Sequence, residues 1–503
     1  MKILSAKQIK DWDAFTIQNE PISSIQLMER AALAFVNWFI QRYPHSQQTA
    51  IKIFCGSGNN GGDGLAIARL LHRKRYDVEL FCCQISQNPS ADFTINLKKL
   101  PRRNAIPLFY IKKDTSFPDI SESAILIDAI FGAGLNRPII DYWGKLITFL
   151  NTLPNTKIAV DIPSGLFADK PSSGNVLKAN YTLSFQLPKL AFFFPENQDI
   201  VGTCYIQPIG LSPLFLAEVT TPFYFLTAAL VQSIRRSRNK FDHKGTYGHA
   251  LLIGGSHGKV GAIVLAARAC LKSGAGLVTI HAPQCAYSIL QISFPEAMVS
   301  TDPHQYYYSE NPPLTSYKAI GIGCGLDQKS SSIKALKELI QLSAIPLVLD
   351  ADALNILSTN KAWLDYLPAN SVLTPHPKEF ERLFGKSAND FERNELQRNQ
   401  AKALNCFIIL KGANTCIACP DGTCYFNTTG NPGMATGGSG DVLTGIITGL
   451  LAQAYPVKDA CFLGVYLHGL AGDLAAKDLG QESLIASDLI ERLGGAFKEL
   501  GRS

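Results

Sequence analysis

The sequence has few charged residues and no long block of one charge: Asp, Glu, Lys and Arg make up 17% of its 503 residues. The densest basic run is "IRRSRNK" at residues 234–240, and so short a run is typical of a solvated surface or linker. We therefore expect no nucleic-acid partner. The 46% share of hydrophobic residues excludes a disordered or fibrous chain, and the length predicts two or more domains.

A long apolar run is also missing. The most apolar segment, residues 442–457, is shorter than a bilayer span and contains Pro456. In the opening "MKILSAKQIKDWDAF", Lys7 interrupts the apolar character, so we expect no secretory leader. These features predict a cytoplasmic protein without a membrane partner.

The twelve cysteines lack any regular spacing, which predicts free thiols in a reducing compartment. The group that invites a closer look is Cys416, Cys419 and Cys424 in "TCIACPDGTCYF". These sulfurs resemble part of a zinc or redox site, but a fourth ligand is missing nearby. The Pro-Asp-Gly sequence between two β-rich runs favours a hairpin instead.

Short apolar runs that end in Gly or Asp recur along the chain, with helical patterns between them. One is "IKIFCG" (51–56), and others end at Asp128, Asp161 and Asp350. Continuously apolar strands alternating with helices predict α/β domains with parallel sheets covered on both faces. In such sheets the ligand binds beyond the carboxyl ends of the strands. We place the break between two domains in the proline-containing segment 212–222.

The stretch "CGSGNNGGDGLAIARLL" (55–71) follows one of these strands and opens a helix. It contains a GxGxxG pattern at Gly56, Gly58 and Gly61. The pattern indicates either dinucleotide binding or only a tight strand-to-helix turn. Glu79 lies near the distance along the chain at which a ribose-binding residue is expected.

Polar side chains crowd this loop and the ends of two further strands. Asn59, Asn60 and Asp63 offer oxygens that suit a ribose, an amide or a hard cation. Asp128 and Asp161, each taken alone, are typical of a helix cap or a turn. Because three polar strand ends of one parallel sheet lie along the same edge, we expect them to form one site.

Read in order, "GSGNNGGDG", "DAIFGAGLNRP" and "VDIPSG" resemble the NAD(P)H-hydrate epimerase domain, as does "PISSIQLMERAA", where Ala32 replaces an expected glycine. The resemblance implies a Rossmann-like doubly wound sheet domain over residues 1–214 that interconverts the two epimers of hydrated NADH or NADPH. It implies that Asp161 is the acid/base and that Asn60, Asp128 and Ser164 hold a potassium ion, which prefers hard oxygen ligands. The implied contacts with the hydrate are Asn59, Asn60, Gly61, Gly62, Asp63, Gly132, Ala133, Gly134, Leu135, Asn136, Arg137, Pro138 and Asp161.

A second glycine-rich stretch, "GMATGGSGDVLTGI" (433–446), precedes a run with helical apolar spacing. Free N–H groups and the positive end of the helix dipole favour an anion at such a turn. Asp441 is then either a carboxylate that stabilises the helix start or a base that takes a hydroxyl proton during phosphoryl transfer. Gly445 and Gly449 are expected to let this helix pack closely on the sheet.

The GGSGD pattern resembles the ribokinase-like superfamily, and "HKGTYGHALLIGGSHGKVG", "DADALN", "LTPHPKEFERL" and "LKGANT" narrow the resemblance to the ADP-dependent NAD(P)H-hydrate dehydratase. The resemblance implies a ribokinase-like α/β domain over residues 222–503 that phosphorylates the ring hydroxyl from ADP and then eliminates phosphate, leaving AMP and NAD(P)H, with Mg²⁺ as cofactor. It implies hydrate contacts at Ala262, Gly325, His376 and Asp441. The implied nucleotide contacts are Lys411, Gly412, Ala413, Asn414, Thr415 and Gly440.

Several positions keep two interpretations. Asp350 and Asp352 either hold Mg²⁺ through water or cap the next helix, and His376 either contacts the ligand or is structural. The stretch "GIGCGLD" has Cys324 and Asp327 where the resemblance leads us to expect proline and glycine.

Two other functions stay open. One alternative is a kinase that phosphorylates a vitamin-like alcohol from ATP. The other is a nucleotide-sensing scaffold without catalysis. ADP as donor follows from the resemblance alone, and the sequence does not distinguish NADH hydrate from NADPH hydrate. We expect a homo-oligomer whose partners are otherwise small molecules.

Overall fold

The computed structural model describes residues 1–44, 49–101 and 105–501. They form two compact units: one comprises Lys2–Thr221 with Asn389–Phe391, and the other comprises Met1, Pro222–Ala388 and Glu392–Ser503. The functional division into residues 1–214 and 222–503 stays a prediction. Among the described residues, none of the helices combines the length and apolarity needed to cross a bilayer.

The first unit contains a parallel sheet between two layers of helices. Within the described ranges its strands are β1 (Ile51–Cys55), β2 (Val78–Cys83), β3 (Leu108–Ile111), β4 (Ile125–Ala129), β5 (Lys157–Val160), β6 (Tyr181–Phe185) and β7 (Thr203–Gln207). Every neighbouring pair is parallel, in the order β3-β2-β1-β4-β5-β6-β7. The order changes direction between β1 and β4, and such a switch point opens a crevice at the carboxyl ends of the strands.

Helices cover both faces of this sheet, as the sequence predicts. They are α1 (Ala6–Asn19), α2 (Ser24–Arg42), α3 (Asn59–Arg73), α4 (Ala91–Lys98), α5 (Asp141–Thr152), α6 (Gln198–Val201) and α7 (Pro213–Glu218). Alternate residues of β1 enter different cores: Ile53 packs with Phe35 of α2, whereas Phe54 packs with Leu146 of α5. Burial on both faces explains why β1 reads as an unbroken apolar run.

The second unit contains a larger, mixed sheet. In the part of the chain that the structure describes, its strands are β8 (Phe223–Phe225), β9 (His249–Ile253), β10 (Leu277–Ala282), β11 (Met298–Thr301), β12 (Ala319–Ile322), β13 (Leu347–Leu349), β14 (Val372–Leu373), β15 (Phe407–Leu410), β16 (Thr415–Ala418) and β17 (Cys424–Asn427). The order is β11-β10-β9-β12-β13-β14-β15-β16-β17-β8, and β16 is antiparallel to both its neighbours. The prediction of two α/β units is confirmed, but the expectation that both sheets are parallel is wrong for this one, because the β16–β17 hairpin adds antiparallel pairs.

The helices of this unit again lie on both faces. They are α8 (Ala228–Ile234), α9 (Val260–Lys272), α10 (Tyr287–Ser293), α11 (Ser330–Leu342), α12 (Ala351–Thr359), α13 (Pro377–Phe384), α14 (Asp390–Ala403), α15 (Ser439–Ala452), α16 (Val457–Leu479) and α17 (Ala486–Leu500). The expectation that Gly445 and Gly449 face the sheet is wrong. A Cβ at Gly445 would overlap the Ala266 carbonyl oxygen, and one at Gly449 would press on Cys270, so both glycines let α15 approach α9.

All twelve cysteines are free thiols. Cys416 and Cys424 lie on the predicted hairpin, β16–β17, where Asn394 Nδ2 is 3.3 Å from the first sulfur and 3.8 Å from the second. Among the described residues, the trio with Cys419 is not a cluster that could hold a metal ion. The hairpin interpretation of this segment is confirmed by the antiparallel pairing of β16 with β17.

Candidate active sites

The glycine turn after β1 is tight. A Cβ at Gly56 would overlap the Ile130 carbonyl oxygen, and one at Gly61 would overlap the carbonyl of Gly56. The ribose-binding role considered for Glu79 is wrong, because Glu79 lies at the amino end of β2 and pairs there with Lys52 Nζ at 2.6 Å. Ligands of a parallel sheet bind at the opposite edge.

The residues predicted to hold potassium come together at that edge. The Asp128 carboxylate is buried and accepts hydrogen bonds from Ser164 N at 2.7 Å, Ser164 Oγ at 2.6 Å and Ile130 N at 3.1 Å. Asn60 Nδ2 donates to the Phe131 carbonyl oxygen at 3.1 Å, and Phe131 N donates to Ser164 Oγ at 2.8 Å. Burial raises the pKa of Asp128 to about 6, although these hydrogen bonds lower it. Carboxylate, hydroxyl, amide and carbonyl oxygens are donors that fit potassium.

Asp161 follows β5 and is paired with a buried lysine. Its φ of 67° lies in the left-handed region, which a non-glycine residue adopts only when its surroundings hold it there. Asp161 Oδ1 accepts from Lys189 Nζ at 2.6 Å and from Phe185 N at 3.0 Å. Lys189 also donates to Ser184 Oγ at 2.9 Å. The candidate acid/base is thus oriented by a cation whose own position is fixed.

Two further carboxyl groups face Asp161. Burial, together with the charge of Asp161, raises the pKa of Asp13 to about 7, although the charge of Lys189 lowers it. Burial also raises the pKa of Asp63 well above its usual range, and the charges of Asp161 and Asp13 add to that effect. The carboxyl groups of Asp13 on α1 and Asp63 on α3 therefore interact with the charge of Asp161 at the end of β5, and burial favours the protonated forms of Asp13 and Asp63.

The predicted loop Gly132–Pro138 connects β4 to the region before α5. Gly132 packs against Asn60, because a Cβ there would lie 3.1 Å from that of the asparagine. The carbonyl oxygen of Asn136 accepts a hydrogen bond from Lys170 Nζ at 3.1 Å. Every residue of the loop is exposed or half-buried.

In the second unit, the glycine turn is followed by α15, as predicted. Gly438 has a φ of 91°, a conformation that glycine adopts without strain. His468 of α16 is largely buried, and its Nε2 donates to the Ser439 carbonyl oxygen at 2.9 Å. Burial lowers the pKa of His468 to about 4, so the ring is neutral and fixes the start of the helix as a hydrogen-bond donor.

Asp441 lies in the first turn of α15. Burial raises its pKa to about 6, a hydrogen bond with the Cys324 thiol lowers it, and the charge of Asp350 raises it. A carboxyl group that titrates near the working pH is suited to accept a hydroxyl proton.

Asp350 and Lys411 form a buried ion pair next to this turn. Lys411 Nζ donates to Asp350 Oδ1 at 2.7 Å, and Thr444 Oγ1 donates to Asp350 Oδ2 at 2.9 Å. A Cβ at Gly440 would lie 3.3 Å from Lys411 Nζ and 3.4 Å from Asp350 Oδ2, so this glycine leaves room for the pair. The capping alternative for Asp350 is wrong, since its side chain makes no capping hydrogen bond to α12.

The substrate contacts predicted at Ala262 and Gly325 are neighbours. A Cβ at Gly325 would lie 3.4 Å from the Ala262 Cβ. In the loop "GIGCGLD" (321–327), Asp327 replaces the expected glycine and has a φ of 70°. Aspartate tolerates this left-handed conformation better than most residues. Asp352 accepts from Asp327 N at 2.9 Å and from Lys259 Nζ at 3.3 Å.

His376 is the N-cap of α13. Its Nδ1 accepts hydrogen bonds from Lys378 N at 3.1 Å and Glu379 N at 3.4 Å, which supports the structural interpretation. The half-exposed ring is held by this cap, and its contact with a hydrate stays a prediction. The predicted nucleotide loop begins at Lys411 and closes through Thr415 Oγ1, which donates to the Gly412 carbonyl oxygen at 3.0 Å. Ala413 and Asn414 lie between these ends.

Several site residues are missed by sequence reasoning. Lys189 is a lone charge in the apolar run "FQLPKLAFFF", and that pattern is a usable signal for a buried ion pair. Glu379 lies 3.9 Å from Lys411 Nζ and is the third residue after His376, a spacing typical of a capping box. Asp13 and His468 carry no local signal, because their partners come from distant segments.

Comparison with known proteins extends over nearly the whole chain. Residues 250–494 match the family described as NAD(P)H-hydrate dehydratase, and residues 24–191 match the YjeF-related protein N-terminus. A relative from Moorella thermoacetica, the bifunctional NAD(P)H-hydrate repair enzyme Nnr, is 37% identical over 99% of this chain and 97% of its own length. The enzyme of the same name from Coxiella burnetii is 33% identical, with 97% of both chains covered.

Among solved structures, the ADP/ATP-dependent NAD(P)H-hydrate dehydratase from Bacillus subtilis, co-crystallized with ATP/Mg²⁺, is 33% identical. The similarity covers 55% of this chain and 98% of that chain, with a TM-score of 0.49.

Proposed function

This chain belongs to the bifunctional NAD(P)H-hydrate repair enzymes, and we propose from that premise that it carries out two reactions. The first unit epimerises the R and S forms of hydrated NADH and NADPH. The second unit dehydrates the S form back to NAD(P)H, while ADP is converted to AMP and phosphate. A homo-oligomeric state stays a prediction.

The observation that carries the dehydratase proposal is the position of Asp441 between a glycine turn and the buried ion pair of Asp350 with Lys411. The hydroxyl oxygen of the hydrate attacks the terminal phosphorus of ADP and passes its proton to Asp441. The bond from that phosphorus to the bridging oxygen breaks, and AMP leaves. The free N–H groups at the start of α15 stabilise the charge on the transferred group.

Phosphorylation prepares the second step. The carbon–oxygen bond breaks with its electron pair on the departing phosphate, and loss of a ring proton restores the reduced nicotinamide. Hydroxide is a poor leaving group and phosphate is a good one, so the ADP is consumed to make this elimination fast. The loop Lys411–Thr415 and Gly440 hold the nucleotide, and Ala262, Gly325 and His376 contact the hydrate.

Asp350 and Asp352 do not fit a direct magnesium site. Each carboxylate is already bound to a lysine, Asp350 to Lys411 and Asp352 to Lys259. Magnesium is therefore proposed only as the companion of the nucleotide phosphates, where it would neutralise part of their charge.

In the first unit, Asp161 is proposed as the acid/base at the stereocentre, with Lys189 orienting it. Asn59–Asp63 and the loop Gly132–Pro138 contact the hydrate. Asn60, Asp128 and Ser164 would hold potassium, which supplies a fixed positive charge at the edge of this site.

The test supplies hydrated NADH of one stereochemistry at a time, with ADP or with ATP. We expect the S form plus ADP to yield reduced nicotinamide, AMP and phosphate, and the R form to react only after epimerisation. The Asp441→Asn variant should lose dehydration and keep epimerisation, as read by chromatography of the two epimers. A stable phosphorylated product without recovered nicotinamide absorbance would show a kinase instead.

A further inference from the structure

The Cys324 thiol lies beside the proposed base of the second unit. Cys324 follows β12 and is buried, and its main chain is held because its carbonyl oxygen accepts from Gly255 N at 3.1 Å. Its Sγ, one oxygen of Asp441 and one oxygen of Asp350 all lie within 4.8 Å of one another. The sulfur therefore lies within 4.8 Å of a carboxylate oxygen of Asp441. A small buried side chain is thus aimed at the proposed base.

The thiol acts as a neutral donor here. Burial, followed by the charges of Asp441 and Asp350, raises the pKa of the Cys324 thiol well above its ordinary value. A neutral thiol is neither a nucleophile nor a metal ligand, but its S–H can donate to a carboxylate. Asp350 already accepts from Lys411 and Thr444, so Asp441 is the carboxylate that the thiol serves.

The flanking backbone places the sulfur. Gly323 has a φ of 127° and Gly325 a φ of 60°, and both values lie in the region that favours glycine. A Cβ at Gly323 would overlap the Asp350 carbonyl oxygen. The proline expected at this position from the resemblance would have no side-chain donor, so the interaction is a feature of this chain's own sequence.

We propose that Cys324 is a positioning residue for dehydration: its S–H donates to Asp441 and holds the carboxylate in the orientation that takes the hydroxyl proton. The proposal rests on the proposed dehydratase function. Cys324 then affects the rate of the chemical step, whereas other residues bind the hydrate and ADP.

The kinetic test compares Cys324→Ala, Cys324→Ser and the control Cys461→Ala, which removes a buried thiol in the core of the same unit. We expect Cys324→Ala to lower kcat for dehydration about tenfold, the size expected for a hydrogen bond to a charged group, with little change in either KM. Cys324→Ser should recover most of kcat because it restores a donor. The control and the epimerisation rate should stay near wild type.

A spectroscopic test is independent of turnover. The S–H stretching band of a thiol that donates to a carboxylate lies at lower frequency than that of a free thiol. We expect a low-frequency band in the wild-type protein that is lost in Cys324→Ala and moves to higher frequency in Asp441→Asn. The last comparison needs no change at the cysteine itself.

Two results would overturn the proposal: wild-type kcat in Cys324→Ala, or a serine variant as slow as the alanine variant. An S–H band that ignores Asp441→Asn would also overturn it. Failure of the proposed function appears differently, as wild-type protein that releases no AMP from ADP and the S hydrate, and the infrared comparison still reports on the hydrogen bond in that case.

Discussion

The rate of dehydration should fall as the pH falls through the pKa of Asp441. That pKa is about 6, raised mainly by burial, and a base must be ionised to accept a proton. With one group of this pKa, the ionised fraction is about 0.9 at pH 7 and about 0.1 at pH 5. We therefore expect kcat/KM to fall about tenfold between these values and about tenfold for each further unit of acid.

The assay counts AMP by chromatography after a short reaction with ADP and S hydrate well below their KM values, because reduced nicotinamide itself decays in acid. Each sample is returned to pH 7 and measured again, so that reversible titration is separated from unfolding. Asp441→Asn is the matched control and should show no such limb in its residual rate. A wild-type kcat/KM that stays constant from pH 7 to pH 5, in enzyme that is still folded, would refute the role of Asp441 as base.

Three further predictions concern single positions. Asp128→Ala should weaken the dependence of epimerisation on potassium and leave dehydration unchanged, and a wild-type rate that is flat across a potassium titration would contradict the ion's role. Lys411→Met should lower the free energy of unfolding by about 3 kcal/mol in chemical denaturation, because it leaves a buried carboxylate without its counter-charge. Adding Asp350→Asn should recover most of that lost free energy. If the double variant instead loses the sum of the two single losses, the Asp350–Lys411 ion pair does not contribute as described. Gly445→Ala should cost about 2 kcal/mol or more because its Cβ would overlap a carbonyl of α9, whereas Gly494→Ala, with open space around it, should raise Tm slightly.

Apolar runs predict both sheets correctly, because burial on two faces demands continuous apolar strands. The same reasoning predicts that polar residues at the strand ends meet, and Asn60, Asp128 and Ser164 do so. It fails for Glu79, since distance along the chain does not show at which end of a strand a residue lies. The sequence predicts a doubly wound sheet for the first unit, but it does not show that the strand order changes direction between β1 and β4.

The rest of each site depends on pairs that sequence spacing does not contain. Lys189 reaches Asp161 from another segment, and its signal is only that a charge in an apolar run needs a partner. His376 illustrates the opposite case: a polar residue between prolines attracts a functional interpretation, while its Nδ1 caps a helix. Cys324 stands out in the sequence as a departure, but its proximity to Asp441 is seen only in three dimensions.

The edge of the second sheet has a consequence for synthesis. Strand β8 pairs with β17 through Phe223 and Cys424, which lie far apart along the chain. A ribosome makes β8 long before β17 exists, so this apolar strand waits without its partner while most of the unit emerges. An unpaired strand is a template for wrong association, and the nascent chain carries that exposure until its last strand has been translated.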